Sequence, residues 1–599
     1  MNKKSKKETN SNNIVEPVYK TMNQYVQYAI IVLMVFILYG NTIMHDYALD
    51  DYVVISDNSF TQKGLSGLKD IFSYDSFKGY GNNFINSVAG GRYRPFSIAT
   101  FAIEKQLWGQ NPHISHFINI ILYALTCVLV FSLLSKLLEH YNKNDWFNSI
   151  PFIATLLFAA HPIHTEVIAN IKCRDEIFAL LFSLLSLWLI MKYLDGKSKL
   201  YIIFSLFCFF IALLSKEIAI IFVLIIPATI YFLTTHSPQK IIQISLPIIL
   251  IAIIFIVIRQ YIIAKTRVDN QTIHIILNYS FQDMNISEKW ATIVYCLGMY
   301  LKLIFIPHPL TWDYYPYHIA IKHWSDFSVI ISLSLYLSFV YFMIKGLKNK
   351  SLYSFCILIY ILPLVITANI FFPIGAFMCE RFLYISSLGF AILLAWILST
   401  HLHKIKISPL LLVIPILCLY SFKTIDRNKA WKDGETLIRT DFQTSSNSVK
   451  SNSDYANILY NKVIKEPESE EKLKDCEEIL NYELRADSIC HDLSRTNFIL
   501  GTLFGRYKNN YGKAIYHLKR AIQLDPFYID SYQNLGVTYA MLKQYDNAKA
   551  TLYCGLKISP QNIEMYKSLS TIYYLMGKQD SGAICVKKVK ILETMESGN

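Results

Sequence analysis

Asp50 and Asp51 stand side by side a few residues past the first long apolar run, in DYALDDYVVISDN. Two adjacent carboxylates are costly to ionise together, because each raises the other's pKa. At the mouth of a membrane helix such a pair points to a functional site. Either could serve as the general base that takes a proton from an acceptor hydroxyl; the structural alternative is helix capping and solvation. Arg92 and Arg94, in GGRYRPFSIATF, could neutralise a phosphate through bidentate hydrogen bonds, or could simply snorkel among headgroups.

Further polar residues crowd the ends of other apolar runs. His161 and His164 lie at i, i+3 with Glu166 close by, so a helix would bring them together. Two imidazoles and a carboxylate could hold a metal, but hydrogen bonding to a sugar or to neighbouring loops fits that spacing better. Arg174, Asp175 and Glu176 follow at the head of the next run, where a local ion pair is the plain alternative. Lys216 and Glu217 sit between two apolar runs with almost no loop, so hydrocarbon forces them to pair or to line a polar cavity. Glu380 and Arg381 occupy an equivalent place in MCERFLYISSLGF.

The elements that position these residues are membrane helices. The chain has 599 residues, 53% hydrophobic and only 17% charged, well short of the quarter usual in soluble domains. Apolar runs of about 20 residues, the length needed to cross about 30 Å of hydrocarbon, recur from 25 to 422. We count about eleven spans, with 290–306 read as a re-entrant or surface-lying helix. The lysine-rich tail 1–24 is expected in the cytoplasm, along with the loops carrying Lys192, Lys240, Lys345 and Lys404. That threading puts loop 41–115, all the polar clusters above and the C-terminal tail outside. The net charge of +13 lies mainly in short loops, so membrane topology explains it and no nucleic-acid partner is expected. Eleven cysteines without a CxxC pair argue against a zinc site or disulfide framework, and no cleavable signal is evident.

The tail is a repeat array. Tyr532, Leu535, Gly536, Tyr539, Ala548 and Pro560 fit the tetratricopeptide helix-turn-helix pattern, and Pro526 precedes Pro560 by 34 residues. We therefore divide the chain into tail 1–24, membrane domain 25–422, a degenerate repeat or linker 423–492, and tetratricopeptide repeats 493–599.

Together LDDYVVISDN, YRPFSIATFAIEKQLWGQNPHISHFINIILYAL, FAAHPIHTEVIANIKCRDEIFALLF, LLSKEIAI, MYLKLIFIPHPLTWDYYP, ERFLYISSLGF and RNKAWKDGETL resemble the transmembrane and tetratricopeptide-repeat O-mannosyltransferase family of the GT-C glycosyltransferase superfamily. The resemblance implies an all-α, polytopic GT-C membrane fold with a C-terminal α-solenoid. It implies transfer of a hexose, mannose in this family, from a polyprenyl-phosphate sugar to Ser or Thr hydroxyls of exported proteins. Asp50 and Asp51 would be catalytic. Arg92, Arg94, His161, His164, Glu166, Arg174, Asp175, Lys216, Glu217, Glu380 and Arg381 would bind donor sugar and phosphate. A monophosphate donor makes no metal or other cofactor obligatory. The repeats would dock an acceptor or partner protein. The array is shorter than in animal members, which implies a bacterial inner-membrane relative with periplasmic repeats, or an ER-membrane protein with lumenal repeats if eukaryotic. A same-fold enzyme acting on a glycan or lipid, and a non-catalytic scaffold, are the alternatives.

Overall fold

The computed structural model describes residues 24–81, 91–141, 146–266, 281, 284–372, 374–404 and 407–597; all but Gln24 of the expected cytoplasmic tail 1–24 lies outside them. Among the described residues the chain is helical and has no strand.

We number the helices of ten or more residues in chain order. The membrane part comprises α1 (Gln24–Tyr39), α2 (Pro95–Trp108), α3 (Pro112–Leu137), α4 (Ile150–Ala160), α5 (Arg174–Leu194), α6 (Leu200–Ser215), α7 (Phe222–Leu233), α8 (Pro238–Thr266), α9 (Ile286–Phe305), α10 (Phe327–Leu347), α11 (Leu352–Thr367), α12 (Ser386–Lys404) and α13 (Leu410–Asn428). Local chemistry sets the boundaries. Asn111 caps α3 by accepting from the His113 and Ile114 amides, with Pro112 at the first helical position. Asn285 and Glu288 form a reciprocal capping box on α9.

Five helical segments are long and apolar enough to cross a membrane: Gln24–Met44, Pro112–Leu137, Ile171–Leu194, Pro238–Thr266 and Phe327–Leu347. A sixth arises if Ile150–Ala160 and Pro162–Ala169, bent by 51°, act as one span. The count of eleven expected from apolar runs goes beyond this. Four of those runs form helices of only 10–17 residues, and α9 is not among the spanning candidates. At 1.5 Å per residue such helices fall short of the hydrocarbon thickness. The outer flanks of α8 and α10 expose Leu246, Leu250, Ile253, Val257, Ile330 and Leu337, a surface that suits lipid rather than water.

Lysines gather at one end of this bundle. Lys136 pairs with Asp195, Lys240 donates to the Tyr193 hydroxyl (2.8 Å), and Lys350 donates to the Thr234 carbonyl (3.3 Å). The 21-residue helix α5 carries Lys192 at this end and Arg174 at the other. The polar clusters therefore lie roughly 30 Å away, at the opposite mouth of the bundle.

The tail is a run of helical hairpins: α14 (Gly434–Ser445), α15 (Val449–Val463), α16 (Glu470–Ile489), α17 (Ser494–Arg506), α18 (Tyr511–Leu524), α19 (Ile529–Met541), α20 (Tyr545–Ile558), α21 (Ile563–Leu575) and α22 (Gln579–Ser597). Asp433, Ser448, Ser469, Asn510 and Asn562 cap five of them with side-chain oxygens. Small residues allow close approach: a Cβ on Gly536 would stand 2.7 Å from Leu552 Cγ. The eleven cysteines are all free thiols.

The two parts meet in a small core of Ala48, Ala169, Trp312, Ala430, Trp431 and Leu437. Polar contacts fasten that join. Asp441 accepts from the Trp312 amide (2.8 Å) and pairs with Arg427, while the Val449 amide donates to the Pro316 carbonyl (2.8 Å). The loop after α9 is thus clamped by the first helices of the tail.

Candidate functional site

The acidic couplet is split by burial. Leu49 adopts a left-handed backbone (φ +48°), which turns the chain immediately before it. Asp51 is 0% exposed; its Oδ2 accepts from the Ala48 amide (2.9 Å) and its Oδ1 from the Lys172 amide (2.7 Å). Asp50 keeps half its side chain open (51%), and its Oδ2 accepts from Lys172 Nζ at 3.1 Å.

The two carboxyls consequently titrate apart. Burial pushes Asp51 up to about 7, with the two amides pulling against it and Asp50 adding to the rise. For Asp50 burial also raises the pKa, but Lys172, Arg381 and Lys450 outweigh it and hold the group well below the ordinary carboxylate range. Asp50 is thus an open carboxylate that stays ionised.

Cations ring this carboxylate. Lys172 comes from the turn Ile171–Cys173 that leads into α5. Arg381 reaches in from the turn Glu380–Leu383 before α12; its guanidinium pairs with Glu166, which also accepts from the Arg381 amide (3.2 Å). Lys450, near the start of α15, places its ammonium 4.4 Å from the ring centres of both Trp312 and Tyr315. Of these three cations, Lys172 is paired with Asp50 and Arg381 with Glu166.

Next to this pocket lies a second ionic cluster. Arg94 bridges Asp175 (2.8 Å) and Glu217 (3.0 Å), Lys216 pairs with Asp175 (3.3 Å) and Glu176, and Arg259 approaches Glu217 (3.6 Å). Residues expected on three separate loops thus converge in a single network. Arg92 stands beside it: its amide donates to Asp75 (2.6 Å), and burial together with Arg94 lowers its guanidinium to about 10.

Other expected ligands prove to be internally committed. Arg174 is fully buried; it pairs with Glu104, donates to Asn119 (2.7 Å) and the Ser115 carbonyl (3.0 Å), and stacks on Phe101. Its geometry is that of a brace between helices α2, α3 and α5, not of an open donor ligand. Pro162 breaks the helix between the two histidines, yet their rings still stand 6.0 Å apart. His161 bonds the Ile304 carbonyl (2.9 Å), while His164 bonds Tyr123 (2.7 Å) and Ser387 (2.8 Å). With their nitrogens taken, neither faces an open pocket. Among the described residues no cluster of three His, Cys, Asp or Glu stands ready for a metal. Glu380 is buried and accepts from the Thr311 amide and the Tyr314 hydroxyl (2.9 Å), which fixes the clamped loop.

Lys172, Lys450, Trp312 and Tyr315 escaped the reading of the sequence. Lys172 lies within the NIKCRDE stretch that drew attention, and its burial at the head of an apolar run was an available signal. Nothing local marks Lys450, since its place depends on the tail folding back onto the loop after α9.

Two parts of the chain match described families. Residues 95–263 match the family described as dolichyl-phosphate-mannose-protein mannosyltransferase, and residues 506–543 match the TPR repeat. The Caenorhabditis elegans protein O-mannosyl-transferase F38B6.6 is 28% identical over 74% of this chain and 61% of its own length. Human TMTC3, also a protein O-mannosyl-transferase, is 26% identical over 77% and 51%, and mouse TMTC3 22% identical over 90% and 55%. The chain spans little more than half the length of these curated relatives. Among solved structures, MamA aligns at 20% identity with 30% of this chain and 96% of its own, with a TM-score of 0.24.

Proposed function

We propose that the chain, which is similar to the membrane protein O-mannosyl-transferases that carry tetratricopeptide repeats, transfers a hexose, mannose by kinship, from a polyprenyl-phosphate sugar to Ser or Thr hydroxyls of exported proteins. Asp50 is the general base. It accepts the proton of the acceptor hydroxyl as that oxygen bonds to the anomeric carbon and the bond from this carbon to the phosphate oxygen breaks. The departing lipid phosphate carries its negative charge onto Lys172 and Arg381. Asp51 is a positioning residue: it ties the Ala48 and Lys172 amides together and thereby sets Asp50 against Lys172. The network of Arg94, Asp175, Lys216 and Glu217 borders the donor's path, with Arg92 beside it. Residues 25–422 form the GT-C-type catalytic unit, 423–492 a degenerate repeat or linker, and 493–599 the repeats that hold the acceptor.

One observation carries this reading: a half-open carboxylate kept ionised inside a ring of cations. No metal is required, because the donor is a monophosphate. The test is mass spectrometry of exported proteins from cells carrying the wild-type chain, Asp50→Asn, or no chain. Hexose should vanish from the same Ser and Thr residues in the last two. Loss from a lipid or glycan alone would move the acceptor to another class, and an unchanged hexose pattern would leave a scaffold.

A further inference from the structure

Of the three cations around Asp50, two are held in direct ion pairs. Lys172 pairs with Asp50 and Arg381 with Glu166. Among the described residues, Lys450 has no carboxylate within ion-pair distance and no hydrogen-bond partner on its ammonium. What it has is two aromatic faces, Trp312 and Tyr315, each 4.4 Å away. Such a cage holds a cation in place without neutralising it, and leaves its N–H donors for another acceptor.

The position is also unfavourable on its own account. Lys450 follows the cap Ser448 at the start of α15, where the helix dipole repels positive charge. The clamp through Asp441, Ser445 and Val449 nevertheless fixes it there: Ser445 bonds Thr311 (2.8 Å) and the Asp313 carbonyl (3.1 Å). We propose that Lys450, supplied by the first hairpin of the tail, is a phosphate-binding residue of the membrane site, so that the repeat domain completes the pocket for the donor as well as docking partners. The inference rests on the transferase reading given above, and its ligand chemistry is a lipid-linked phosphate monoester or diester. The tail and the membrane domain then form one functional unit, in which loosening the clamp costs donor affinity even with every membrane residue intact.

The test measures binding of citronellyl phosphate, with citronellol as the control lacking phosphate, to the full chain in nanodiscs. Lys450→Met keeps the aliphatic stem against the rings and removes the charge; Lys450→Arg keeps the charge. Losing one charge-assisted hydrogen bond should weaken citronellyl phosphate about tenfold in Lys450→Met. Lys450→Arg should recover most of that loss, and citronellol should bind all three alike. Unchanged affinity in Lys450→Met, or an equal loss for citronellol, overturns the proposal. Should Lys450→Met fail to fold, amine labelling of the wild-type chain decides: citronellyl phosphate should protect Lys450, and absence of protection refutes it. Asp50→Asn separates the two levels. It should abolish hexose transfer yet still bind citronellyl phosphate; transfer at the wild-type rate would remove Asp50 as the base, and no transfer by the wild-type chain itself would sink the transferase reading while leaving the Lys450 result to stand on its own.

Discussion

Asparagine at position 50 and asparagine at position 51 should fail in different ways, and the difference can be worked from the contacts. Asp50→Asn removes the base and one half-exposed ion pair with Lys172. Lys172 is only 10% exposed, but the open Asp50 side lets water take the carboxylate's place, so the cost stays near the upper end of the about 0.2–1 kcal/mol of an exposed pair. Turnover should notice a great deal, since a positioned general base contributes about 10²–10⁴-fold. Asp51→Asn inverts the pattern. Both oxygens of Asp51 accept backbone amides at 2.7 and 2.9 Å with no exposure, and an asparagine offers only one acceptor oxygen. Its amino group would meet the other amide donor head-on, leaving a buried N–H unsatisfied at about 1–3 kcal/mol. The comparison belongs at pH 8, because below about 7 Asp51 itself takes up a proton and the contrast narrows. Hexose transfer to an acceptor peptide, followed beside thermal unfolding of the same nanodisc samples, reads both quantities. Asp50→Asn with turnover within about threefold of wild type would refute the assignment of the base, being far below the expected loss. Asp51→Asn melting at the wild-type temperature would refute the positioning role.

Three further outcomes follow from buried contacts. Burial raises Glu380 to about 8, with Arg427 pulling it down and Glu166 pushing it up. The folded state therefore holds a proton, from about pH 4.5 to 8, that the unfolded chain has already released, and stability falls as pH rises through that window. Glu380→Gln keeps the acceptor oxygen for Thr311 and Tyr314 and should flatten the fall in melting temperature between pH 5 and 8; Asp51 and Glu483, raised to about 7 and about 8 chiefly by burial, maintain the remaining slope. Asp441→Asn leaves Arg427 buried without its counter-charge, at a cost of about 3–5 kcal/mol. Hydrogen exchange of residues 310–316 should accelerate in that variant, reporting release of the clamp. Gly536→Ala forces a methyl to 2.7 Å from Leu552 Cγ, and overpacking of about 1–3 kcal/mol should appear as earlier melting of the tail, with the membrane part unaffected.

What the sequence disclosed depended on how local the cause was. The repeat helices were legible because Gly536, Ala548 and Pro560 recur at a period set by a single hairpin. The apolar runs were legible as helices, but their ability to span was not, because prolines and short polar breaks cut several of them below crossing length. The His161/His164 pair shows a finer point: the spacing did bring the rings within 6.0 Å, but what each nitrogen bonds depended on distant groups, Ile304 for one and Tyr123 and Ser387 for the other.

The acidic couplet marks the boundary between what spacing can and cannot disclose. Adjacency alone predicts mutual repulsion, which would raise both carboxyls by similar amounts. The fold breaks that symmetry with groups far along the chain. The backbone and the side chain of Lys172, 121 and 122 residues away, take one carboxylate each: the amide buries with Asp51, the ammonium meets Asp50 in the open. One residue thus assigns the two aspartates to different roles, and Arg381 and Lys450 only deepen the difference. The turn Ile171–Cys173 presents both the amide and the ammonium of Lys172 to the couplet, so its placement matters to this site as much as the identity of the acids.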